Sequence, residues 1–158
     1  MALVDMFLKL DGVDGECQDS EHKNEIQIEG YRLSGLSSRD AFTNQSTGAV
    51  RISHLTIHAK VDKSTPKLFE KLKRNDKIPT ATLTCRKAGK EQFKYFEVVL
   101  SEVLVARIQI GGLEGGDVLP ACEFDLAYGK LTITAWTQTS LGTMSGAVVF
   151  NYNLQTNA

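Results

Sequence analysis

The chain has 158 residues, 42% hydrophobic and 23% charged, the make-up of one globular domain of ordinary size with enough apolar material for a full core. No apolar run approaches the roughly 20 residues that cross a bilayer, and a net charge of −1 argues against a dedicated nucleic-acid binder. That charge is unevenly spread: residues 1–30 carry eight acids and two bases, a net −6, and residues 51–94 carry four acids and twelve bases, a net +8, which suits head-to-tail association of identical copies at least as well as nucleic-acid binding.

The N-terminal stretch MALVDMFLKLDG has Asp5 and Lys9 inside its apolar part and no cleavage pattern, so it is not a Sec-type signal. Leu3 to Leu10 alternates, with Val4, Met6, Leu8 and Leu10 on one face, and predicts a strand. Asp11 to His22, DGVDGECQDSEH, reads as a surface turn. It lacks the alternate acids and closing glutamate of a calcium loop. Cys17, Cys85 and Cys122 are odd in number and lack metal-ligand spacing, which predicts reduced thiols in a protein folded in the cytoplasm.

Glu25 to Leu36 begins as an alternating strand, and Gly30 marks a bulge. Ser37 to Gly48, SSRDAFTNQSTG, is the longest stretch without strand character and reads either as a projecting arm or as an unstructured surface loop. Val50 to Lys60 reads as one strand. Its His54 and His58 have helical ligand spacing, but in a strand they stand about 13 Å apart, too far to share a metal.

Val61 to Asn75, VDKSTPKLFEKLKRN, is the single helical segment. The spacing predicts Thr65 as its cap, Pro66 at its first position, and an apolar stripe of Leu68, Phe69 and Leu72 opposite Lys67, Lys71 and Arg74. Ile78 and Pro79 are expected to break the chain. Thr80 to Arg86 is then a strand, followed by a turn at Gly89. Phe93 to Leu100 and Val103 to Ile110 read as two further strands. Gly111 to Gly116, GGLEGG, is a glycine turn with no following Gly-Lys-Ser/Thr to make it a phosphate loop. Ala121 to Tyr128, Leu131 to Thr137 and Ala147 to Leu154 complete about nine strands. The expected fold is mainly β: a closed or nearly closed barrel or tight sandwich, with one amphipathic helix covering an opening or face.

No motif assembles a nucleophile, a base and an orienting group, so no catalytic, cofactor-binding or metal site is expected. In the arm, Arg39 and Asp40 offer charge, Asn44, Gln45, Ser46 and Thr47 offer hydrogen bonds, and Phe42 is the sole apolar anchor. Such a patch suits a weak contact repeated many times.

Three stretches together resemble the haemolysin co-regulated protein (Hcp) family of bacterial type VI secretion: Asp5 to His22, Asp62 to Leu68 (DKSTPKL) and Arg86 to Val105 (RKAGKEQFKYFEVVLSEVLV). The part from Glu123 through LAYGKLTITAWTQT to Asn153 fits more loosely. The resemblance implies that residues 1–158 form one Hcp-like domain, a two-sheet β-barrel with the helix at its side. It implies six-membered rings with a wide lumen, stacked into a tube inside a contractile sheath. The tube is expelled with a spike protein and carries or protects effectors in its lumen. The partners implied are further copies of the chain, the spike, sheath and baseplate components, and secreted effectors, without nucleic acid or membrane insertion.

On that reading the protein is cytoplasmic before firing and leaves without a cleaved signal peptide. Arg39, Asp40, Phe42, Asn44 and Gln45 are the ring-stacking candidates, and Arg32 is the lumen candidate. Two departures stand out. Tyr31, Arg32 and Leu33 occupy a strand where relatives often carry paired tryptophans, and the arm is polar where some relatives are glycine-rich. A fused toxin is not expected, since the chain stops at its last strand. The competing readings are a monomeric small-ligand-binding barrel and, less in keeping with strand geometry, a metal-dependent hydrolase built on His54, His58 and the acidic turn.

Overall fold

A computed structural model describes residues 4–87, 92–116, 119–138 and 144–156. Among these are ten strands and one helix: β1 (Val4–Leu10), β2 (Ile26–Arg32), β3 (Gly35–Arg39), β4 (Ser46–Ile52), β5 (Leu55–Lys60), α1 (Ser64–Arg74), β6 (Ile78–Lys87), β7 (Lys94–Gly111), β8 (Ala121–Ala127), β9 (Lys130–Gln138) and β10 (Met144–Asn153). The turn expected at Gly89 lies outside the described residues.

The strands run β10-β9-β7-β6-β1-β2-β5-β8, and β8 returns to pair with β7. This closes a six-stranded barrel, β7-β6-β1-β2-β5-β8, with β9 and β10 as an outer ribbon. Its interior is filled by alternating apolar side chains, among them Leu8, Ile26, Leu55, Ile57, Leu83, Leu100, Phe124 and Leu126, each at most 1% exposed. The barrel is mainly β with one helix, as expected.

β7 replaces the two strands expected at 93–100 and 103–110. Its first part pairs with β6 and β9, its second with β8. The polar pair Ser101–Glu102 interrupts the apolar run without ending the strand. Glu102 adopts a positive φ of 54°, a local kink that lets one chain serve both sheets. Gly129 lies beneath it, and a Cβ there would stand 3.3 Å from the Cβ of Glu102. The Gly129 N–H donates to the Ser101 carbonyl at 2.9 Å.

Ile78 and Pro79 belong to β6 rather than breaking the chain. Ile78 pairs with Val103 and Thr80 with Ser101, so Pro79 falls between paired positions, and β1 begins its pairing only at Ala81. No ladder bond is asked of the missing N–H. Gly30 sits at a register shift between β2 and β5, the bulge read from the sequence.

The helix packs along β7. It begins at Ser64, one residue before the expected cap. Asp62 supplies the reason: its carboxylate accepts from the Ser64 N–H at 2.9 Å and from the Ser64 hydroxyl, while the Thr65 hydroxyl accepts from the Asp62 N–H at 3.2 Å. An anion there complements the positive end of the helix dipole and outcompetes a neutral threonine cap. Pro66 remains within the first turn, where its N–H is not needed. Leu68 is fully buried and Leu72 packs on the core, but Phe69 is 39% exposed. Asn75 ends the helix in the left-handed region at φ 53°, its N–H directed at the Leu72 carbonyl.

Candidate functional site: the hairpin arm and the barrel ends

The expected strand-free arm is instead a β-hairpin. β3 and β4 pair from Gly35↔Ile52 at the base to Arg39↔Ser46 near the tip, as a sheet separate from the barrel. Serine, threonine and glycine fill it, and no described side chain from Gly35 to Arg51 is buried. The strand expected from Val50 to Lys60 is divided at Ser53–His54 for the same reason: the chain leaves the hairpin and enters the barrel there. Ser53 holds that corner. Its N–H donates to the Ser34 carbonyl at 2.8 Å, its hydroxyl accepts from the Ser34 N–H at 2.9 Å, and its carbonyl accepts from the Tyr128 hydroxyl at 2.9 Å. Burial pushes the Tyr128 phenol up to about 12, so it stays a donor.

The tip is organised by Asp40. Its carboxylate accepts from the N–H groups of Phe42 and Thr43 at 2.9 Å each and from the Thr43 hydroxyl at 3.2 Å. Those bonds, Thr43's first, hold the Asp40 carboxyl below its ordinary value. Asn44 takes the left-handed conformation at φ 56°, and its carbonyl accepts from Arg39 at 3.3 Å. Of the five arm candidates, Arg39, Asp40 and Asn44 therefore build the turn. Gln45 closes it through its carbonyl, which accepts the Asp40 N–H at 2.9 Å. Phe42 is presented outward, 98% exposed.

Arg32 ends β2 at the root of the hairpin and lines a cleft of about 580 Å³ with Arg51, His54 and Asp125. Asp125 accepts from the Thr56 hydroxyl at 2.8 Å and from Arg107 at 3.0 Å. Burial raises its carboxyl, but the bonds from Arg107 and Thr56 outweigh that and leave it lowered. His54 precedes β5 and His58 lies within it, opposite Glu123. Among the described residues no group of three or more His, Cys, Asp or Glu is placed to hold a metal ion. Cys17, Cys85 and Cys122 are free and buried.

Sequence reasoning missed Arg86. This side chain, 3% exposed, bonds Asp19 at 2.5 Å, lies 3.4 Å from Asp5 and 3.7 Å from Glu21, and sits 4.8 Å over the Phe7 ring. The segment expected to be a surface turn is thus a clasp over β1 and β6. Val13 and Cys17 are buried, and the N–H groups of Gly15 and Cys17 donate to the carbonyls of Asn24 and Glu25. His22 stacks on Phe7 at 4.2 Å and bonds Glu25. Part of the acid-rich N-terminal region therefore meets a base within its own chain. Its strand, IPTATLTCRK, mixes apolar residues with three threonines and a lysine, so no local pattern singles out one arginine as buried.

A closed six-stranded barrel with an outer ribbon, one helix and one exposed hairpin defines a small β-barrel module. Residues 7–135 match the family described as "Type VI secretion system effector, Hcp", and the chain belongs to that family. It is similar to the protein Hcp1 of Pseudomonas aeruginosa, 32% identical over 158 residues, covering 98% of this chain and 97% of the relative. Among solved structures it is similar to one described as that of a type six secretion system protein, with a TM-score of 0.90, 26% identity and 98% of each chain covered. It is also similar to Hcp1 of Salmonella typhimurium, with a TM-score of 0.82, 26% identity, and 99% and 98% covered. Among the described residues no helix is long and apolar enough to cross a membrane.

Proposed function

We propose that this type VI secretion protein is the subunit of an inner tube: six copies form a ring, rings stack, and the tube is expelled with a spike protein while effectors ride in its lumen. The observation that carries this reading is the hairpin, whose described side chains are exposed up to a tip phenylalanine at 98%. A lone barrel gains nothing from such an arm, whereas a repeating assembly gains a contact at every subunit. The edge strand β10 adds support, since Val148, Val149 and Phe150 are exposed at 71%, 52% and 48%, an apolar edge that an isolated protein would ordinarily protect. Sheath and baseplate components are the further partners on this reading. The protein waits in the cytoplasm, leaves without a cleaved signal peptide, and performs no catalysis.

The filled barrel interior tells against a monomeric ligand-binding barrel, which needs a cavity there. Light scattering on the purified protein should give six times the 17.4 kDa chain mass, and electron microscopy of concentrated protein should show stacked rings. Monomer alone at micromolar concentration and moderate salt would overturn the reading.

A further inference from the structure

We propose that the cleft at the root of the hairpin binds a phosphate group, free or carried by a small organic ester, between Arg32 and Arg51. The site lies within one chain and stands whether or not rings form. Of the six arginines in the sequence, Arg74, Arg86 and Arg107 each meet a carboxylate at 3.0 Å or less, and Arg39 bonds the Asn44 carbonyl. Arg32 and Arg51 have no ion-pair or hydrogen-bond partner among the described residues, and both line the same cleft.

Strand geometry puts them on one face. Arg32, Ser34 and Leu36 alternate along the chain, and all three line the cleft. Arg51 is paired directly opposite Leu36, and paired residues of antiparallel strands point to the same side. The corner beneath them is fixed by the two bonds between Ser34 and Ser53, at 2.8 and 2.9 Å. Asp125 is the one acid among the lining residues, and its charge is already met. It accepts from Arg107 at 3.0 and 3.3 Å and from the Thr56 hydroxyl at 2.8 Å, and Arg107 also reaches Glu123 at 3.0 Å. Asp40, at the hairpin tip, is held by the amides of its own turn. Arg32 and Arg51 are thus left without a counter-charge.

Two guanidinium groups from two strands select the charge of the ligand. A single arginine satisfies a carboxylate through two parallel bonds. A phosphate monoester carries about −1.5 to −2 charge at pH 7 and three acceptor oxygens, enough for both arginines, with Ser34 and His54 beside them as further donors. The cleft, about 580 Å³, is larger than a bare phosphate needs, and Leu36 and the half-buried Ile52 give it an apolar wall for an organic ester.

The test is isothermal titration of the purified protein with inorganic phosphate and with phenyl phosphate, in a chloride buffer at moderate salt that screens diffuse surface attraction. Saturable binding of one equivalent per chain is expected for at least one of them. Arg32→Gln and Arg51→Gln should each weaken it about tenfold, the worth of one hydrogen bond to a charged group, and the double variant should abolish it. Both side chains are exposed, so the fold should survive, which circular dichroism checks. Lys67→Gln, which removes one charge from the exposed face of α1, should leave the affinity unchanged. Tighter binding of phenyl phosphate identifies an ester as the ligand, and affinity no tighter than that of inorganic phosphate identifies the free anion. No saturation by either anion, binding retained in the double variant, or an equal loss in Lys67→Gln would overturn the site. The mass of the assembly is read separately and bears only on the ring.

Discussion

Two segments leave the barrel wall, and they are held in opposite ways. The clasp of residues 11–25 has no strand of its own beyond a single bridge between Leu10 and Val13, yet it buries Val13 and Cys17 and is pinned through Asp19 to Arg86. The hairpin of residues 35–52 has two regular strands, yet no described side chain from Gly35 to Arg51 is buried. Regular hydrogen bonding is therefore no measure of how firmly a segment belongs to the core. Contacts to the rest of the chain decide that, and the clasp has them while the hairpin has mainly its own.

The comparison breaks most sharply at Arg86. Arg86→Ala removes the only cation that Asp19 and Asp5 face among the described ion pairs and should cost about 3–5 kcal/mol, as for one partner of a buried ion pair. Urea unfolding measures the loss, and hydrogen exchange should show the Gly15 and Cys17 amides opening first. Unchanged protection of those amides would mean that apolar contacts alone hold the clasp.

Gly15→Ala attacks the same segment without touching charge. A Cβ there would lie 2.5 Å from the Glu25 carbonyl oxygen and 2.8 Å from the Ile26 Cα. Backbone must shift, at about 1–3 kcal/mol as in other overpacked sites, read as a lower thermal midpoint.

Acid separates the two segments next. The Arg86 hydrogen bond holds the Asp19 carboxyl at about 2 against an ordinary 3.8. A folded value below the unfolded one means stability that is complete above about pH 4 and fades as the pH falls towards 2. Asp19→Asn should flatten that part of the pH profile of the unfolding midpoint. Asp40 is also lowered, but it is exposed and bonds only its own turn. Its protonation should loosen the amides of Phe42 and Thr43, seen by NMR, without moving the global midpoint.

The smallest effect is expected at the hairpin tip. Phe42→Ser should change unfolding free energy by no more than about 0.5 kcal/mol, the usual range for a surface position. A larger loss would show that the arm packs on its own barrel.

Where one face of an element is buried, the sequence was readable. Alternation located β1 and the start of β2, and the capped apolar stripe located α1. The hairpin was invisible because neither of its faces is buried: SSRDAFTNQSTG alternates nothing, so no period marks its strands. Phe42 was legible as the one large apolar residue in that stretch, and the hairpin presents it to solvent. That Arg39, Asp40 and Asn44 build the turn was not, since their bonds depend on a backbone path that composition leaves open. Arg86 was beyond reach for another reason. Its burial depends on a segment 67 residues away in the chain, a distance over which local periodicity carries no information. At β7 the polar pair Ser101–Glu102 looked like an end because a positive φ cannot be read from residue type alone.

The strand order also has a consequence in time. The barrel is two meanders, β1–β2–β5 and β6–β7–β8, joined at the β1–β6 and β5–β8 seams. Within the second meander each strand pairs with its neighbour in the chain. The seams bring Val4 to Lys87 and Lys60 to Ala121, so each must close a long loop, and that entropy is lost before the contacts return it. Each half can therefore pair early, and sealing the barrel is the slow event. Pulse-labelled hydrogen exchange during refolding should protect the amides shared by β6 and β7 before those shared by β1 and β6. A freshly made chain would spend its most exposed interval as two open half-barrels, with the Arg86 guanidinium still waiting for the carboxylates of the opposite half.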